Sequence, residues 1–162
     1  MEDRTTPVAA ETGANFTATH LGPLDQLARY RYTIPAHLPF AGKQVRGKAF
    51  LKDVLALTGV EISMNTLPSG AGMPFLHKHR EHEEVYLFLS GSGEFMVDGT
   101  VFPIAEGSVV RVATDGVRAY RNTGSTSLQF IVLQVKEGSL AVGTSDDGVA
   151  LDKPVQWPAT AN

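Results

Sequence analysis

The chain contains no cysteine. A disulfide framework, a zinc knuckle and a thiol nucleophile are therefore excluded, and the lack fits a reducing compartment. Basic excess is also missing: 14 Lys and Arg stand against 17 Asp and Glu, a net charge of −3 over 162 residues. With no surplus of positive charge to neutralise phosphates, nucleic acid is not expected as the main partner. The one basic concentration, Lys43, Arg46, Lys48 and Lys52, reads as a solvated segment. No apolar run approaches membrane-spanning length. Residues 1–15 lack the apolar stretch of a secretory signal, so a cytoplasmic location is the expectation. All five histidines, His20, His37, His77, His79 and His82, lie in the first 82 residues, and the rest of the chain offers no imidazole.

What is present is the composition of a folded domain, 43% apolar and 19% charged. Its length suits one domain with a substantial core. Residues 1–22, rich in Thr, Ala and Gly, read as an arm that is disordered or packs only on a partner. Residues 23–140 read as the domain itself, and 141–162 as an extension lying over it, with Trp157 as its anchor. The stretch 23–30 suits a short helix, and 53–59 suits either a helical turn or a short strand. From Val60 the texture is that of strands. Val60, Ile62 and Met64 alternate with polar residues; Phe75, His77 and His79 share one parity, and so do Glu84, Tyr86 and Phe88. Asp98-Gly99 marks a tight hairpin, Arg118, Tyr120 and Asn122 share one face, and 128–135 is a nearly continuous apolar run. Many short strands with Gly, Pro and Asp-Gly punctuation predict an all-β sandwich or barrel.

The chemistry is concentrated at His77-Lys78-His79, with Glu84 following and Gly91 beyond it. Imidazoles two residues apart on an extended strand point to the same side. If that strand pairs with the run starting at Glu84, two imidazoles and a carboxylate meet at one point, a ligand set suited to a divalent transition metal. Residues 80–83 are polar and suit the connecting turn; ligation by His82 or Glu83 is not expected. Met64, Met73 and Met96 read as core filling.

These residues resemble the cupin superfamily. In its first motif, G-x5-H-x-H-x(3,4)-E-x6-G, His77, His79, Glu84 and Gly91 fill the expected places, with Ala71 where the leading Gly belongs. The second motif, G-x5-P-x-G-x2-H-x3-N, matches at Gly107 and Asn122, but Ala113, Asp115 and Arg118 stand in the Pro, Gly and His places. The resemblance covers residues 45–137. It implies a jelly-roll β-barrel with short helical turns and terminal extensions, a metal held inside by three His and one Glu, and a homodimer. The superfamily spans enzymes, sensors and storage proteins, so fold does not select function.

Arg118 is the departure that matters, because a guanidinium stays protonated and ligates no metal. Two arrangements follow. In one, His77, His79 and Glu84 hold Fe, Mn, Ni or Zn with positions open to substrate, while Arg118, Tyr86 and Tyr120 bind a small anionic ligand. In the other, Arg118 replaces the metal and pairs with Glu84 in a metal-free binding cavity. A third placement puts the Arg118 head in water at the barrel mouth. At ~5 Å and an effective dielectric near 20, Arg118 facing a divalent ion costs on the order of 6 kcal/mol before screening, so the metal form calls for an anion. Whether the chain is an enzyme stays open; a metal-dependent dioxygenase, decarboxylase or isomerase is the form it would take. Tyr86 and Tyr120 are weak candidates for a general base.

Overall fold

Alternation of side chains along the strands builds two sheets whose apolar faces meet. In a computed structural model, residues 4–143 and 145–158 are described. In chain order the strands are β1 (Ala9–Gly13), β2 (Phe16–Thr19), β3 (Arg31–Thr33), β4 (Gln44–Arg46), β5 (Lys48–Phe50), β6 (Val60–Leu67), β7 (His82–Ser90), β8 (Ser92–Val97), β9 (Thr100–Ala105), β10 (Val109–Val112), β11 (Arg118–Asn122) and β12 (Leu128–Lys136). A 3-10 turn, Leu24–Arg29, precedes β3, and a helical turn, α1 (Lys52–Leu55), joins β5 to β6. The larger sheet has the order β10-β7-β12-β6-β5, and the smaller one β11-β8-β9. This is the all-β arrangement expected, with the two sheets packed face to face.

The core between the sheets is aromatic. Tyr86 and Phe88 of β7, Phe95 of β8, Ile104 of β9, and Leu128, Phe130 and Val132 of β12 are all buried. The rings of Phe88 and Phe95 meet across the sheets with centroids 6.3 Å apart, and those of Tyr120 and Phe130 at 5.1 Å, separations typical of edge-to-face packing. Asp98 and Gly99 both have positive φ (50° and 81°), as a tight turn between β8 and β9 requires. Gly91 is needed for a second reason. A Cβ there would stand 2.6 Å from the Ser127 carbonyl oxygen and 2.9 Å from Leu128 Cα, where β12 begins. Asn122 holds the neighbouring turn, donating to the carbonyls of Leu67 and Thr126, both at 2.8 Å.

The larger sheet is covered on its other face too. Met64 packs there against Leu27, Tyr30 and Ala49. The polar partners in the β6 alternation, Ser63 and Asn65, point the other way, between the sheets, where they are buried at 2% and 4% exposure and hydrogen-bonded to each other. Glu61 accepts from the backbone N–H groups of Leu51 (3.3 Å) and Lys52 (3.0 Å) at the start of α1, resolving the choice between turn and strand in favour of the turn.

Four expectations change. Residues 73–81 form no strand of a sheet; single bridges at Gly72–Arg121 and His77–Arg118 hold this extended segment against β11. The polar stretch after it is not all turn, because His82 and Glu83 already belong to β7. The N-terminal arm folds on itself as the β1–β2 hairpin. Trp157 anchors nothing: it is 90% exposed, and Val142, Val149, Leu151 and Val155 are exposed with it, so the tail does not bury its apolar side chains on the domain. Residues 1–3 of the arm and 144 and 159–162 of the extension lie outside the described residues. No helix among those described is long and apolar enough to cross a membrane.

Candidate metal centre

Glu84 is fixed first. It lies in β7, opposite Val112 on β10 and Gln134 on β12, and alternation turns it inward with Tyr86 and Phe88. His77 reaches the same place from the extended segment. Its backbone exchanges hydrogen bonds with Arg118, which holds it against β11 (Arg118 N–H to His77 O, 3.0 Å). The two imidazole rings lie 5.6 Å apart, nearly perpendicular. One donor atom each from His77, His79 and Glu84 lies within 4.8 Å of the others. The three residues singled out by spacing thus come together, although the pairing of two strands is not what unites them.

The two oxygens of Glu84 face different surroundings. Oε2 accepts three hydrogen bonds: from Arg118 Nη2 at 2.7 Å, Arg118 Nε at 3.1 Å and the Tyr86 hydroxyl at 2.5 Å. Oε1 faces the imidazoles, 3.1 Å from His79 Nε2. Among the described residues neither His79 Nε2 nor His77 Nδ1 has a hydrogen-bond partner, although both are buried. Buried polar atoms are rarely left so. Two imidazole nitrogens that close no geometric hydrogen bond, one of them 3.1 Å from a carboxylate oxygen, are the donor set a divalent transition metal takes, and these residues fit one.

Arg118 has no solvent exposure. This rules out the placement with its head in water. Its remaining contact, Nη1 to the Gly116 carbonyl at 2.9 Å, turns that edge of the guanidinium to protein as well. It does not line the cavity described below.

Electrostatics follow from this packing. Burial alone would raise the Glu84 carboxyl, but the contacts from His79 and Tyr86 and the positive charge of Arg118 outweigh it and hold the group at about 2. Burial, reinforced by the Arg118 charge, lowers His77 to about 4, so its imidazole is neutral at ordinary pH. Burial and the nearby Glu84 charge raise both Tyr86 and Tyr120. Neither phenol is poised to act as a general base.

A cavity of about 800 Å³ opens beside the cluster, bordered by His77, His79, Glu84, Tyr86 and Tyr120. Tyr86 contributes its ring, since its hydroxyl is engaged by Glu84. His82 is exposed, and Glu83 pairs with Arg111 at 2.6 Å. The sequence reading missed Lys48, which also borders the cavity. Grouped with Lys43, Arg46 and Lys52 it reads as solvated; only the alternation of a three-residue strand distinguishes it.

Comparison with known proteins agrees with this geometry. The family model described as the cupin domain matches residues 63–134, from β6 through the two motifs to β12. A crystal structure of a cupin protein from Bacteroides fragilis is 45% identical, with a TM-score of 0.61, covering 64% of this chain and 88% of that one. An oxalate-binding protein of Thermotoga maritima is 36% identical over 67 residues, 41% of this chain; the match spans about half (54%) of that relative's length. With the first motif assembled around Glu84, the two-sheet fold in place and most of a cupin structure matched at this identity, the chain belongs to the cupin superfamily.

Proposed function

We propose that this cupin holds one divalent transition metal through His77, His79 and Glu84 and binds a small anionic metabolite in the adjoining cavity. The observation that carries the reading is the pair of buried imidazole nitrogens without partners beside Glu84 Oε1. Arg118 and Tyr86 occupy only Oε2, so the arginine pair and a metal are compatible. When bound, the ion would act as a Lewis acid toward a carbonyl or carboxylate oxygen. The chain's own residues do the rest. Arg118 and Tyr86 keep Glu84 ionised and fix its plane. The low proton affinity of His77 keeps it neutral, as a ligand must be. The aromatic walls limit the cavity to a small molecule. Similarity to an oxalate-binding protein makes oxalate the first acid to try.

A second reading, metal-free binding in the same cavity, is favoured by the Arg118–Glu84 pair itself, which neutralises the buried carboxylate without an ion. Metal analysis separates the two. The purified full chain is incubated with excess Fe(II), Mn(II), Ni(II) or Zn(II), desalted and analysed by mass spectrometry. The first reading expects one equivalent of one of these metals, lost in His77→Ala and His79→Ala. A wild-type protein that retains none leaves the second.

A further inference from the structure

Strand register decides which cation faces the ligand. Across the larger sheet, Lys48 on β5 stands opposite Asn65 on β6, Asn65 opposite Phe130 on β12, and Phe130 opposite Phe88 on β7. Residues directly opposite one another lie on the same face of a sheet. Phe88 and Phe130 are buried between the sheets, so Lys48 lies on the inner face, the face of Glu84. The half-buried Lys48 borders the same cavity as His77, His79 and Glu84. Its ammonium rests over the Phe50 ring, 4.7 Å from the centroid. Among the described residues it has no ion pair or hydrogen bond of its own.

Arg118, the cation expected to clamp a ligand, is engaged by Glu84 and Gly116. Its charge is balanced by Glu84. A divalent ion would therefore bring its full double positive charge to this corner, and Lys48 adds another positive charge inside the same cavity. A half-buried ammonium over an aromatic ring, within the field of Glu84 and Glu61 but in direct ion pairing with neither, gains from a ligand carboxylate.

We propose that Lys48 is the anion-binding residue of this cavity, and that the ligand is a small acid with two negative charges, one directed to the histidine corner and the other to Lys48. The corner half of this statement rests on the metal reading above; the Lys48 half does not.

The test uses the full chain, loaded with the metal it retains and also metal-free, as wild type, Lys48→Met and Lys48→Arg. Oxalate, malonate and succinate are titrated calorimetrically, with oxamide as the uncharged counterpart of oxalate. Metal content and melting temperature are recorded for each variant. The proposal expects wild type to bind at least one of the acids and not oxamide. It expects Lys48→Met to keep the wild-type metal content while its affinity for that acid falls at least roughly tenfold. Lys48→Arg should keep the affinity within about threefold, since the charge is retained; this variant also guards against a folding defect in Lys48→Met. Wild-type affinity in a folded Lys48→Met, or no binding of any of the three acids by wild type, overturns the proposal. If wild type retains no metal yet loses acid affinity on Lys48→Met, the Lys48 assignment stands and the metal reading falls. If metal is retained and Lys48→Met binds the acid as wild type does, the Lys48 assignment falls alone.

Discussion

The two sides of Glu84 are built on opposite principles. On the side of Oε2, Arg118 and Tyr86 saturate one oxygen with three hydrogen bonds, and Arg118 is wholly buried. On the side of Oε1, two imidazole nitrogens approach without satisfying one another, and a cavity opens beyond with the Lys48 ammonium resting over the Phe50 ring. The satisfied side is structural: it carries a charge into the interior and neutralises it. The unsatisfied side is where a metal and a ligand have something to gain. A carboxylate can serve both because its two oxygens are independent acceptors.

The largest way to break this comparison is to remove the charge both sides share. Glu84→Gln leaves Arg118 buried without its counter-ion, and such losses cost about 3–5 kcal/mol. Chemical denaturation should show a drop of that order, together with loss of metal. Arg118→Met sharpens the contrast. It leaves Glu84 buried without its cation, for a stability loss of similar order, but it spares the Oε1 side. Metal content, measured on the folded fraction, should therefore survive in Arg118→Met and not in Glu84→Gln. Equal loss in both would mean that the two sides are not separable.

Much of this was legible in the sequence, for physical reasons. Side-chain alternation and Asp98-Gly99 are local, and they located β7, β8, β9 and β12. The spacing of His77, His79 and Glu84 is also local, and the three side chains do converge. What escaped was set by partners distant in the chain. The segment carrying the histidines is held by Arg118 instead of a neighbouring strand. Ser63 and Asn65 face the interior between the sheets while apolar Met64 packs on the opposite, covered face, a choice of face that period-two alternation cannot signal. Lys48 is inward only through its register with Asn65, and Trp157 is exposed where its size suggested an anchor.

A smaller effect isolates one hydrogen bond on the satisfied side. Tyr86→Phe deletes the 2.5 Å contact to Glu84 Oε2 while keeping the ring in the core. Hydrogen bonds to buried charged groups contribute about 1.5–3 kcal/mol, and a urea titration should show a loss in that range, with metal binding retained.

The gentlest perturbation is pH, applied to the metal-free protein. Folding holds His77 at about 4 against an ordinary 6.5, and Glu84 at about 2 against 4.5. Both values are depressed, so on acidification the unfolded chain takes up each proton first and stability falls. The His77 contribution is complete above pH 6.5 and lost as pH drops to about 4; that of Glu84 is complete above 4.5 and lost toward 2. Urea midpoints should therefore decline from pH 7 downward, and His77→Asn should flatten only the upper part of the decline.

The division of Glu84 between its two oxygens is tested most directly by anomalous diffraction from crystals grown with Mn(II). The account predicts one anomalous peak in contact with His77, His79 and Glu84 Oε1, with Arg118 still hydrogen-bonded to Oε2. A map with no peak at that corner, or a peak with Arg118 swung away from Glu84, would contradict it.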